Sequence, residues 1–389
     1  MTYAESSEEI KKLLAEYSGT NPEDWYICLK ARFAMELVFK ALKRSLPSTR
    51  TEVITTPFTC ITAINPILKA GYKPIYAPID AEKLNFRSPE KYINEKTSAV
   101  VLQNTFGIVP APPFFLARTK TSPLIIEDSA HSPSRMIKDH KDQVFADVSV
   151  HSFGVEKILP SKFGSAIYVN PKLKKSKPIF YKHLTSSLKR LRHPNLFLSL
   201  RIITYRFTNA IINRFPLKTR SPIRHFLSNI HLLESAVKPA ELSGHQDNPC
   251  TSTAHANNDV LKYLKDLTKN FHQRTQVTSF LSANLKDSKK VSLFPIDSNS
   301  PLLVFPVLAS SRKKADDLYQ KLTSAGFYIR RWYNPPLYPG PAGPNIAKNV
   351  YFYDKERHPL AEEIGQRILC LPTDISKRRL EKLIDLLTE

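Results

Sequence analysis

Glycine is the conspicuous shortage, with ten residues in 389, where roughly 7% is ordinary. That excludes collagen-like and glycine-rich low-complexity chains. It also makes each glycine informative, since a turn or a close backbone approach is the usual reason to keep one. Cysteine is scarce too. Cys28, Cys60, Cys250 and Cys370 stand far apart, with no C-x-x-C pair and no paired histidine signature. This excludes a disulfide framework and a structural zinc site, and fits a reducing compartment. No run approaches the roughly 18 apolar residues that a membrane-spanning helix needs. The nearest, 196–217, is cut by Arg201, Arg206 and Arg214. The residues from Met1 to Lys12 are polar and partly acidic, unlike a secretory signal, so a cytoplasmic protein is expected. G-x-G-x-x-G and Walker patterns are missing as well, which argues against a Rossmann dinucleotide enzyme or a P-loop ATPase.

Acid is absent from one long stretch. Between 157 and 233 there are sixteen Lys and Arg and no Asp or Glu, in a chain with 57 basic residues, 35 acidic ones and a net charge of +22. Lys172, Lys174, Lys175 and Lys177 cluster, and then bases alternate with Leu, Ile, Phe and Tyr over 189–224. Such a surface meets something anionic. An anionic small-molecule substrate, the face of an anionic membrane and nucleic acid are the three candidates. On a 100° projection Arg190 and Arg201 share a face and Arg206 falls away, so the bases draw no single stripe, which weakens the membrane reading. No zinc finger, RNP aromatic set or basic zipper supports nucleic acid.

What is present is an ordinary globular composition, 42% hydrophobic and 24% charged, long enough for two or three domains. Helical spacing is expected at 7–15 and 31–42. Strand-length apolar runs follow at 53–56, 74–77, 99–103, 124–127, 148–153 and 166–169, with helices at 62–69 and 89–93 between them. This alternation reads as an α/β unit with a mostly parallel central sheet, whose ligands gather at the C-terminal strand ends. The basic segment 172–235 reads as helical, and 239–253, rich in turn formers, reads as a boundary before a long helix at 254–285. A smaller α+β unit begins near 290, with strands at 302–308, 327–333 and 368–371 and helices at 313–325 and 377–387.

Three features fall at strand ends of the first unit. Glu127-Asp128-Ser129-Ala130-His131 closes one apolar run and places a carboxylate where it either caps a helix or meets a ligand. Ser152-Phe153-Gly154-Val155-Glu156-Lys157 closes the next. The third is Gly164-Ser165, and together with Gly107 and Gly154 it puts three of the scarce glycines beside these ends. Read singly, each is as compatible with a helix cap, a core strand end or a solvated lysine as with a site.

Taken together these motifs resemble the pyridoxal phosphate (PLP) core of the DegT/DnrJ/StrS sugar aminotransferases. The resemblance extends upstream to 56–67, Ala70-Gly71-Tyr72-Lys73-Pro74, Asp80 and Gln103-Asn104-Thr105-Phe106-Gly107. Downstream it takes in Trp332-Tyr333, the Pro-rich loop, His358-Pro359-Leu360-Ala361-Glu362 and Leu369-Cys370-Leu371-Pro372-Thr373. It leaves only about 172–245 without a counterpart. It implies a three-layer αβα sandwich of PLP-transferase fold type I, with a cofactor-binding large domain at 1–250 and a long helix plus small α+β domain at 251–389. Lys157 would form the Schiff base with PLP and then move the proton. Asp128 would pair with the pyridine nitrogen, and His131 would lie near the ring hydroxyl. Ser152 and the backbone N–H groups of Ala31 and Arg32 would hold the phosphate.

This chain also departs from the family pattern. Cys60 stands where the family presents a stacking aromatic ring, with Phe58 nearby. Gly164-Ser165 replaces two glycines, Asn104 replaces the usual histidine, and no asparagine in 235–260 matches the one that reaches the phosphate from a partner subunit. Related dehydratases replace the lysine by histidine, so Lys157 points to transamination. The expected function is amino transfer from glutamate or glutamine to a nucleotide-linked keto sugar by a homodimer, with a peripheral contact to an anionic membrane as one use of the basic segment. The alternative is a non-catalytic member of the fold that binds a membrane or partner through that surface.

Overall fold

A computed structural model of the chain describes residues 1–85, 87–112, 121–230 and 232–388. Seven strands build the central sheet: β1 (Trp25–Cys28), β2 (Glu52–Thr55), β3 (Lys73–Tyr76), β4 (Thr97–Gln103), β5 (Leu124–Asp128), β6 (Val148–Ser152) and β7 (Ser165–Val169). Their spatial order is β1-β7-β6-β5-β4-β2-β3. The five from β2 to β6 run parallel, while β7 is antiparallel to both β6 and β1. Every residue of β4 and β5 is buried. This explains why they read as unbroken apolar runs and not as alternating ones, since helices cover both faces of the sheet.

On one face pack α1 (Tyr3–Ser18) and, from late in the chain, α8 (Ala254–Leu264), joining Ile10, Leu14 and Leu264 to Trp25 and Tyr168 of the sheet. On the other lie α2 (Ala31–Lys43), α3 (Ile61–Lys69) and, after the four-residue α4 (Leu173–Ser176), α5 (Pro178–Lys189), whose Val38, Ile64 and Leu184 meet Val101, Ile126 and Val150. The expected three-layer αβα sandwich is what forms. The basic segment continues as α6 (Leu196–Ile212) and α7 (Leu217–Asn229), and α9 (Leu267–Leu285) follows α8. A second, antiparallel sheet of β8 (Val291–Leu293), β9 (Val304–Ala309) and β10 (Ile368–Pro372) carries α10 (Arg312–Ser324), α11 (Pro344–Asn349), α12 (Pro359–Arg367) and α13 (Lys377–Thr388).

Several boundaries differ from the expectation, each for a local reason. The first helix starts at Tyr3 because Thr2 and Glu5 form a capping box: Thr2 Oγ1 accepts from Glu5 N at 3.3 Å and Glu5 Oε2 from Thr2 N at 2.9 Å. The helix expected at 89–93 is a single 3₁₀ turn, Pro89–Tyr92, since Asn94 Oδ1 accepts from Lys96 N at 2.7 Å and turns the chain into β4. The long helix expected at 254–285 is two. Where it would continue, the Leu264 carbonyl instead accepts the Tyr17 hydroxyl at 3.2 Å. The strand expected at 302–308 begins at Val304, because the Leu303 N–H is taken by the Phe106 carbonyl at 2.8 Å, which ties the second sheet to the end of β4. The strand expected at 327–333 is reduced to one bridge, Arg330 with Cys370. Beyond it Trp332 and Tyr333 leave the line of the sheet, ahead of Pro335 and Pro336, which have no N–H to extend a ladder. Four elements, β1, β8, α11 and α12, were not expected from spacing.

Candidate active site

The parallel strands end on one side of the sheet, and a cavity of about 210 Å³ opens there. Asp128 ends β5, and its Oδ1 accepts from the Ala130 N–H at 3.0 Å. Burial pushes this carboxyl above the usual carboxylate range, against the pull of that hydrogen bond and of the Lys157 charge. Ser152 ends β6. A turn through Gly154, closed by Lys157 N to Gly154 O at 2.9 Å, then brings Lys157 back over the strand end. Its Nζ makes no hydrogen bond or ion pair among the described residues. Burial holds the ammonium below its ordinary value, opposed by the nearby Cys60, Asp128 and Glu156.

Three rings frame the lysine. Trp332 presents its face with Lys157 Nζ 5.8 Å from the ring centroid. His131 lies parallel to that indole, centroids 5.4 Å apart and planes within 12°. The histidine is fixed by its Nδ1, which accepts from the Phe106 N–H at 3.1 Å, so a neutral ring carries its proton on Nε2. Burial, with Lys157 and Arg330 nearby, keeps it neutral by holding its basicity well below the usual value. Tyr333 stacks on the same assembly, 12° from the His131 plane.

The N-terminus of α2 forms the opposite wall. Its cap residue Lys30 is extended and offers no side-chain cap, and the N–H groups of Ala31 and Arg32 have no acceptor among the described residues. They face the cavity beside the Ser152 hydroxyl, which is equally uncommitted. The side chains of this turn are tied down elsewhere. Lys30 pairs with Glu234 at 2.5 Å and Arg32 with Glu241. Burial pushes Glu234 up, but Lys30, Lys238 and Arg201 more than offset this and hold it below the usual carboxylate range.

The structure thus brings Lys157, Asp128, His131, Ser152, Ala31, Arg32 and Cys60 to one cavity and leaves Phe58 out of it. Phe58 is fully buried beneath, edge-on to Phe106 and Tyr333. Cys60 is the residue before α3 and gives it no side-chain cap; its Sγ lies 3.0 Å from the Thr62 hydroxyl. Ser165 lies inside β7, where its hydroxyl donates to the Cys28 carbonyl at 3.1 Å. The glycine that matters there is Gly164, at φ +135°, where a Cβ would meet Val260 Cγ2 at 2.7 Å. Asn104 also lines the cavity, with its side-chain amide committed to Glu127 Oε1 and Ser132 Oγ, to which it donates at 2.8 Å each. The sequence reading missed Trp332, Tyr205, Lys30 and the 234–237 loop as lining. Of these only Trp332, one of two tryptophans, carried a signal.

Residues 5–197 and 259–385 match the DegT/DnrJ/EryC1/StrS aminotransferase family. The chain belongs to that family. The dTDP-4-amino-4,6-dideoxy-D-glucose transaminase of Escherichia coli is 22% identical over 98% of this aminotransferase and 88% of its own length. The UDP-4-amino-4,6-dideoxy-N-acetyl-beta-L-altrosamine transaminase of Helicobacter pylori is 32% identical, over 31% of this chain and 33% of that one. Among solved structures, the PLP-form of a Streptococcus pneumoniae protein described as a sugar aminotransferase superposes with a TM-score of 0.70 at 18% identity, covering 100% of this chain and 91% of that one. At that identity the likeness establishes the fold.

Family membership makes the protein an amino-group transferase that depends on pyridoxal phosphate. The residues present fit that cofactor. A phosphate needs donors that are not already used, and the Ala31 and Arg32 N–H groups and the Ser152 hydroxyl are such donors at the positive end of a 13-residue helix. An unpaired amine and a buried carboxylate, the two other groups the chemistry requires, face the same space.

Proposed function

We propose that this aminotransferase moves an amino group from glutamate or glutamine to a keto sugar carried on a nucleoside diphosphate, in surface-glycan or secondary-metabolite synthesis. The relatives described above are named as transaminases of dTDP- and UDP-linked amino sugars. The basic surface of this chain supplies an attractive field for a diphosphate. The observation that carries the reading is the meeting of an unpaired Lys157 with Asp128 in one cavity, beside free helix N–H groups.

Pyridoxal phosphate, when bound, supplies an electron sink for the carbon that bears the amino group. Lys157 holds the cofactor through its amine and then carries the proton at that carbon, a task suited to an amine whose basicity burial has lowered. Asp128 keeps the ring nitrogen protonated, which a neutral side chain would not do. Ala31, Arg32 and Ser152 receive the phosphate. Trp332 offers the aromatic face that Cys60 lacks, and the neutral His131 sits toward the ring hydroxyl. In this reading 1–250 is the cofactor-binding part and 251–389 the smaller one. The enzyme works as a homodimer in the cytoplasm, peripheral to the inner face of the membrane. A non-catalytic role is disfavoured, because a purely structural protein has no use for an unpaired amine facing a buried carboxylate.

The test is amino transfer from ¹⁵N-labelled glutamate to UDP-, dTDP- and GDP-linked keto sugars. Label is expected in one nucleotide sugar with the native enzyme and in none with Lys157→Ala. Absence of label from all three classes, with the cofactor bound, overturns the substrate assignment.

A further inference from the structure

Ten of the fifteen exposed large apolar side chains among the described residues lie between Leu196 and Leu232. Five of them, Leu196, Leu200, Ile203, Phe207 and Ile211, recur on α6 at steps of four, three, four and four. At 100° per residue they fill one stripe about 80° wide. Phe197, 76% exposed, stands beside it. Single exposed apolar residues are ordinary on a protein surface, whereas a contiguous stripe marks a contact surface. The other side of α6 is committed to the protein. Ile202 is buried with Leu29, Phe33 and Phe163, Tyr205 lines the cavity, and Arg206 pairs with Asp259.

Charge chooses among the occupants of the stripe. Lys189, Arg190 and Arg192 precede α6 and Arg214 follows it, all exposed, with no acid anywhere in 157–233. The carboxylates that close this region, Glu234 and Asp259, are already paired with Lys30, Arg201, Lys238 and Arg206. A second copy packed through the same face would set these bases against themselves. An anionic surface complements them. The helix has 17 residues with two arginines among them, and no helix among the described residues is long and apolar enough to cross a membrane. A helix of this kind lies in the plane of the headgroups. Most of α6 and all of α7 fall in 198–258, the stretch that the family match leaves out.

We propose that α6 is an interfacial helix: its apolar stripe enters the headgroup layer of a membrane carrying anionic lipid, the flanking bases meet the lipid phosphates, and its inner face walls the active cavity. This rests on the peripheral position proposed above and gives it a surface. Docking then holds one wall of the cavity against the bilayer.

Co-sedimentation of the cofactor-loaded protein with vesicles of mixed phosphatidylglycerol and phosphatidylcholine, and with phosphatidylcholine alone, tests it. The native protein is expected to pellet with the anionic vesicles at low salt and not with the zwitterionic ones. The double variant Phe197→Ser/Phe207→Ser is expected to bind roughly tenfold more weakly, with its cofactor absorbance and melting temperature unchanged. Native protein left in the supernatant of anionic vesicles overturns the proposal, as does equal binding by the double variant. A dimer in solution that this variant dissociates also overturns it, by making a second copy the occupant of the stripe. The cofactor band is read in the same samples. Its loss counts against the proposed reaction, and its persistence without vesicle binding counts against docking alone.

Discussion

The Nζ of Lys157 sits over the face of Trp332, 5.8 Å from the ring centroid, and the same indole lies parallel to His131. This tryptophan therefore presents an aromatic face beside the amine. Trp332→Leu keeps an apolar side chain but removes the stacking face, a loss of about 1 kcal/mol beyond the change in buried area. Titration of the cofactor by absorbance should show roughly tenfold weaker binding. Unchanged affinity would remove Trp332 from the site.

Glu127, the residue before Asp128, is fully buried in a network with Asn104 and the Ile137 N–H, and burial pushes its carboxyl up to about 7. A carboxyl raised from about 4.5 in the unfolded chain contributes stability that is fully present below that value and is lost as pH rises through 7. Glu127→Gln keeps the acceptor oxygen and cannot ionise. Thermal unfolding without cofactor should therefore find the variant up to roughly 3 kcal/mol more stable than native at pH 8 and little different at pH 4.5. A gap that is the same at both pH values would contradict the raised titration.

The buried pair Lys30–Glu234 anchors the loop 234–237 to the start of α2. Glu234→Ala leaves the Lys30 ammonium buried without its partner, a loss of about 3 kcal/mol. The double variant Lys30→Met/Glu234→Leu should recover much of it, as a double-mutant cycle on chemical unfolding will read. Additive losses would mean that the pair is not coupled.

Gly164 opens β7 at φ +135°, with room for no side chain against Val260. Gly164→Ala should cost about 2–3 kcal/mol by chemical unfolding. Val260→Ala in the same chain should recover only the steric share, because the backbone strain stays. Full recovery would show that packing alone keeps the glycine.

Much of the sheet was legible because it is parallel and covered. β4 and β5 hold short apolar runs, and β6 sets Val148 and Val150 alternately with Ser149 and His151, so their C-terminal ends, and with them Asp128, Ser152 and Lys157, could be placed before any contact was known. Trp332 was not placed in the cavity because 327–333 has the composition of a strand, and only tertiary pairing decides that it bridges at Arg330 and then turns inward. Lys30 and Glu234 are 204 residues apart, a separation that periodicity cannot span. On α6, projecting the arginines hid what the apolar residues show. They form one stripe, and whether a stripe is buried or bare is a property of packing, not of spacing.

The most direct test of the central claim is the absorption spectrum of the purified protein incubated with pyridoxal phosphate, alongside Lys157→Ala, before and after addition of glutamate. The account predicts a near-visible band that requires Lys157 and moves to shorter wavelength with the donor. A band that forms equally well without Lys157, or none with the native protein, would contradict it.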